Sequence, residues 1–150
     1  MRRTILISTL VSGTLDILLA MILTVMRGKA VGDMLRVVAS GPFPAAKDMG
    51  PVGAALGLGV HFTLMAIMAA IFALIVRARP RLLDRPLVTG ALYGLATYVV
   101  MNLIVVPWRF GAPLPPPPLS IATQLFAHVV LVGIPFALIA RRTIRRSAFA

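Results

Sequence analysis

The chain has 150 residues, 59% of them hydrophobic and only 13% charged, with a mean hydropathy of +0.97. A soluble domain carries roughly 25% charge, so an ordinary water-soluble globule is excluded. The net charge of +11 comes from cations at the ends of apolar blocks, without interleaved aromatics, which excludes a nucleic-acid binder; the absence of cysteine excludes disulfides, thiolate metal sites and thiol catalysis.

Four apolar blocks are each long enough to cross a hydrocarbon core of about 30 Å as a helix. The first spans about 4–26 behind Arg2 and Arg3; it exceeds a signal-peptide core and carries Asp16, so it reads as a retained helix. In the following loop Val31, Met34, Leu35 and Val38 fall on one helical face and Lys29, Asp33, Arg36 and Ser40 on the other. That pattern predicts a short amphipathic helix over about 30–40 lying in the membrane interface, stopped by Gly41 and Pro42. The second block covers about 53–76 and runs into Arg77, Arg79, Arg81 and Arg85, where Pro80 and Pro86 break the helix. The third covers about 87–108. Pro113 and Pro115 to Pro118 then form a stiff polyproline strut. The fourth block, about 120–140, closes on Arg141, Arg142, Arg145 and Arg146, and Pro135 frees the carbonyl of Leu131 and so predicts a kink.

The N-terminus, the 77–86 loop and the C-terminus together hold ten cations against five in the other two loops, which places both termini in the cytoplasm. Arg36, Lys47 and Arg109 then lie outside, as a solvated face or as contacts to anionic headgroups. The chain also repeats itself. Residues 10–15 (LVSGTL) match 87–92 (LVTGAL), 58–61 (LGVH) match 125–128 (LFAH), and 72–75 (FALI) are identical to 136–139. Three matches in one order predict two parallel helical hairpins.

Each block carries one stripe of polar or small residues at i+4 spacing. They are Ser8, Ser12, Asp16, Ala20 and Thr24; Gly53, Gly57, His61 and Met65; Gly90, Gly94, Tyr98 and Asn102; and Ser120, Gln124 and His128. The four stripes are expected to converge on the bundle axis, with Gly53–Gly57 and Gly90–Gly94 as close-packing motifs. From the span limits, His61 and His128 lie about 12 Å below the outer surface, Asp16 about 15 Å and Asn102 about 9 Å. Four polar residues from four helices therefore share one expected layer.

Ionisable side chains in hydrocarbon cost about 2.5–3.5 kcal/mol each and need partners. The layer is open to four readings: structural polar glue, a proton or ion path through Asp16 and the histidines, a two-His one-Asp iron or zinc site, and a haem held axially by His61 and His128. No phosphate-cradling loop, nucleophile elbow or glutamate is present, so no enzymatic activity is expected.

Residues 90–95 (GALYGL) and 101–107 (MNLIVVP), the histidine-bearing second block, and residues 125–128 leading to Arg141 and Arg142 resemble small four-span bacterial inner-membrane proteins, including the YagU-like group. The resemblance covers about the last hundred residues and implies an inner-membrane four-helix bundle with no known activity. The sequence as a whole predicts an all-α membrane bundle of four transmembrane helices in one domain, without a cofactor unless it is haem. Its expected partners are the bilayer, with anionic headgroups at the cytoplasmic face, and a second copy or a larger membrane complex.

Overall fold

Backbone polar groups have no water to bond in hydrocarbon, so a segment crosses as a helix that satisfies them internally. The structure, a computed structural model, describes residues 1–146, and among them every regular element is helical. The side chains of Arg145 and Arg146, counted above with the C-terminal cations, lie outside the described set. Four helices are long and apolar enough to span a membrane: α1 (Arg2–Met26), α3 (Gly50–Ala78), α4 (Pro86–Phe110) and α5 (Pro118–Ile144). A short α2 (Val31–Ala39) precedes α3. The spanning helices run a few residues past the apolar limits because Arg2, Arg3, Arg77 and Arg141 continue the turns while their charged ends reach water.

The helices form a ring in which α1 lies between α3 and α5, and α4 packs against α5. The ring closes between α3 and α4 through side chains: the Tyr93 hydroxyl donates to the Met68 carbonyl at 2.7 Å, and Phe72 meets the Tyr93 ring at 4.8 Å. Apolar residues face outward, as at Leu18, Ile71, Leu92 and Phe126, while Ser8, Ser12, Gly57, Gly90, Gly94 and both histidines face inward. The apolar core occupies the half of the bundle near the termini, where Phe72, Val132 and Phe136 pack with Leu83. Leu83 comes from the turn Pro80–Asp84, whose two flanking prolines end α3 and start α4.

Glycines set the closest approach. A Cβ on Gly90 would stand 2.6 Å from the Gly133 carbonyl oxygen and 2.7 Å from the Ile134 Cα, and one on Gly94 would stand 2.7 Å from the Val129 Cα, so α4 and α5 touch backbone to backbone. The Gly53–Gly57 pair does something else. It receives α2 and the turn after it: a Cβ on Gly57 would collide with the Leu35 carbonyl, and one on Gly53 with the Ala46 carbonyl. The motif thus docks the short helix rather than a second spanning one.

Two π-helical stretches interrupt the bundle, Val99–Val105 in α4 and Ala127–Gly133 in α5. Each ends two residues before a proline, Pro107 and Pro135, which lack an N–H and crowd the carbonyl four residues back. Widening the turn relieves that clash: the Val106 N–H donates to the Met101 carbonyl and the Ile134 N–H to the Val129 carbonyl, each five residues back. The kink expected at Pro135 is therefore taken up as a wide turn, and Pro107 produces a second one.

Candidate functional site

The polar residues read as one layer form two separate groups, one on each helical pair. Asp16, in the middle of α1, faces His61 on α3, with Asp16 Oδ2 and His61 Nδ1 3.9 Å apart. The other ring nitrogen, Nε2, donates to the Gly13 carbonyl on α1 at 2.9 Å, which orients the ring toward Asp16. Gly13 makes that approach feasible: a Cβ there would lie 2.7 Å from the Phe62 ring. His61 is 8% exposed, and the Asp16 side chain retains 20% of its surface. The pair is thus enclosed by the bundle without being sealed.

The second group joins the two wide turns. His128 Nδ1 lies 3.1 Å from Thr97 Oγ1, and Asn102 Nδ2 lies 3.1 Å from His128 Nε2. The Thr97 hydroxyl already donates its proton to the Gly94 carbonyl at 2.9 Å, so it accepts from an Nδ1–H. The amide of Asn102 then donates to an unprotonated Nε2. These bonds define one neutral tautomer of His128 with both nitrogens engaged. Tyr98 packs its ring edge against the imidazole with centroids 6.2 Å apart. Thr97 and Asn102 are five residues apart, about 140° around an α-helix, and the wide turn beginning at Val99 brings them toward one face.

Gln124, expected in the layer, is half-buried on α5 and bonds neither histidine. Thr97 and Gly13 belong to the site and were not singled out as site residues. Thr97 sits beside the Gly90–Gly94–Tyr98 stripe and would have been reached by allowing for the wide turn before Pro107. Gly13 lay within the repeated LVSGTL segment but carries no polar side chain. Tyr93 gives a third omission: its hydroxyl closes the ring of helices, while the expected Tyr98 serves as a packing edge.

Arg109, read as a solvated or headgroup-facing cation, turns inward. Its Nε donates to the Gly41 carbonyl at 2.7 Å and one terminal nitrogen to the Ser40 carbonyl at 3.0 Å, so it satisfies the open carbonyls at the C-terminus of α2. Asp33 and Arg36 pair with each other on the exposed side of α2.

A metal or haem would need an imidazole nitrogen with a free lone pair. The His128 lone pair is taken by Asn102, and His61 points its two nitrogens at Gly13 and Asp16. Among the described residues no three His, Cys, Asp or Glu side chains converge. No family model, curated protein or solved structure matches the chain, so the resemblance to the YagU-like group rests on the residues quoted for it.

Proposed function

We propose that the chain is a small, non-enzymatic, multi-pass membrane protein that exchanges protons within the bundle through Asp16 and His61. The observation that carries this reading is the 3.9 Å approach of the carboxylate to an imidazole nitrogen in the middle of the spanning region. A carboxylic acid facing a neutral imidazole and a carboxylate facing an imidazolium differ by one proton moved over that gap. That internal transfer leaves the pair net neutral, so a proton is passed on without an unpaired charge in hydrocarbon when one enters at one partner as another leaves from the other. The test is proton flux into vesicles holding the purified protein and an internal pH dye. Flux should be lost in Asp16→Asn, which keeps the shape and removes the titratable group. No flux from the wild type, or equal flux from the variant, would contradict the reading.

A second reading, an accessory or scaffold subunit, is favoured by the His128 group, whose hydrogen bonds are all internal and which therefore serves as polar glue between α4 and α5. The haem alternative requires His61 and His128 to present free nitrogens to one ring, and their present partners oppose it.

The cation count supports termini in the cytoplasm and anionic headgroups against the arginines at that end. The resemblance to bacterial four-span proteins supports an inner-membrane location. At the opposite end Trp108 is 85% exposed, and Val37 and Phe43 are also exposed, which supports α2 lying at the membrane interface. The two-hairpin repeat is supported by matching environments: Phe72-Ala73 and Phe136-Ala137 are buried with the two rings 6.1 Å apart, Leu74 and Leu138 face out, and Gly13 and Gly90 both sit at helix contacts. The narrow axis of four helices fits a bundle that works as a homo-oligomer or in a larger membrane complex.

A further inference from the structure

We propose that the seam between α3 and α4 holds one anionic phospholipid of the surrounding bilayer, with its phosphate against Arg79 and Arg81 and one acyl chain in the groove between the two helices. This turns the headgroup contact supported by the cation count into a defined site, and it does not depend on proton exchange. Elsewhere around the ring, neighbouring helices pack along their lengths, whereas α3 and α4 meet through the turn that joins them and through the side chains of Phe72 and Tyr93. Between them lies a groove of about 290 Å³, walled by Leu64, Ile67 and Ile71 on α3 and by Tyr93, Ala96 and Val100 on α4. Leu64, Ile67, Ile71 and Val100 are exposed, so the groove opens on the lipid-facing side. The two hydroxyls along it are already spent, Tyr93 on the Met68 carbonyl and Thr97 on the Gly94 carbonyl. A wall with no open donor or acceptor suits a hydrocarbon chain and penalises a polar ligand.

The groove leads to a charged end. Leu64, Ile71 and Ala78 recur every seven residues on α3, so each step drifts only about 20° around the helix, and the exposed Leu74 and Ile75 continue the apolar track between the last two. Ala78 forms, with Arg79 and Arg81, the rim of a second hollow of about 470 Å³ at the terminal end of the bundle. Along the helix axis, Ile71 lies about 10 Å from Ala78 and Ile67 about 16 Å. One leaflet's share of the hydrocarbon core is about 15 Å. A lipid with its phosphate at the hollow therefore lays a chain along the track and into the groove. Charge selects an anionic one. Residues 77–85 carry four arginines against Asp84 alone, and among the described residues Arg79 and Arg81 make no ion pair. A guanidinium pairs with a phosphate through two parallel hydrogen bonds, and basic hollows between spanning helices bind headgroup phosphates. A second copy of the chain packed parallel in the groove would bring two such arginine turns together, and like charges oppose that.

The test is native mass spectrometry of the full chain in mixed micelles holding equal amounts of phosphatidylglycerol and phosphatidylcholine with identical acyl chains. One phosphatidylglycerol should stay bound in preference to phosphatidylcholine. An arginine at a headgroup is worth about fivefold in binding, so Arg79→Gln combined with Arg81→Gln should weaken phosphatidylglycerol binding about twenty-five-fold and remove the preference. The groove contributes shape, since a chain gains van der Waals packing there and no hydrophobic energy over the lipid around it. Ala96→Phe or Val100→Phe, each filling the groove from an exposed position, should lower the bound phosphatidylglycerol several-fold, while Leu92→Phe, exposed and outside the groove, should not. Two groove variants keep the test decisive if one does not fold. Equal binding of the two lipids, or phosphatidylglycerol binding untouched by the paired arginine substitutions, would refute the site. Loss with the arginine pair and none with either groove variant would leave a general attraction of headgroups and overturn the seated chain. Protein dimers that exclude lipid and come apart in Ala96→Phe would assign the groove to a second copy and overturn the proposal.

Discussion

Replacing Gly94 with alanine tests the backbone-to-backbone contact that sets the positions of α4 and α5. The added methyl would stand 2.7 Å from the Val129 Cα and press on the His128 carbonyl. Ordinary carbon contact begins at about 3.5 Å, so the helices must separate by close to an ångström or strain in place. Overpacking of this kind costs about 1–3 kcal/mol, and both obstacles here are backbone, which cannot rotate aside. The same displacement stretches the 3.1 Å bond between Asn102 and His128 beyond hydrogen-bonding range. A loss of about 2 kcal/mol is expected, roughly a thirtyfold fall in the folded-to-unfolded ratio. Reversible unfolding in mixed micelles, followed by steric trapping, measures it. Gly59→Ala is the matched control, because nothing lies within 4 Å of its added methyl; it should be neutral or stabilising by up to about 1 kcal/mol. Gly94→Ala unfolding within about 0.5 kcal/mol of the wild type would refute the close approach.

Two further outcomes follow from the far end of the bundle. Arg109→Ala removes both donors to the Ser40 and Gly41 carbonyls, so limited proteolysis in vesicles should cleave between residues 27 and 49 several-fold faster, with the spanning helices intact. For orientation, Ala112→Cys should react with a membrane-impermeant thiol reagent on intact cells and Ala78→Cys should not; the reverse pattern would invert the assigned sidedness.

The spanning helices were legible because their signal is coarse: about twenty apolar residues with cations at both ends admit few alternatives in a bilayer. The inward face was legible too, since Gly90, Gly94, His61 and His128 all lie where their stripes place them. What the i+4 stripes could not give was which residues meet. Depth along straight helices put Asp16, His61, Asn102 and His128 in one layer, yet contact depends on which helices are neighbours, and α1 pairs with α3 while α4 pairs with α5. The wide turns before Pro107 and Pro135 also shift the register, bringing Thr97 and Asn102 to the same imidazole. Arg109 was read as solvated because a sequence shows a cation near a membrane surface but not the open carbonyls of a helix that ends beside it.

The account gives the two histidines different work, His61 in proton exchange and His128 in holding α4 to α5. Proton flux and unfolding stability measured side by side for His61→Gln and His128→Gln test that division most directly. The account predicts that His61→Gln loses flux at near wild-type stability, and that His128→Gln keeps flux and loses stability by about 1 kcal/mol or more. Flux abolished by His128→Gln at unchanged stability, or retained in full by His61→Gln, would contradict it.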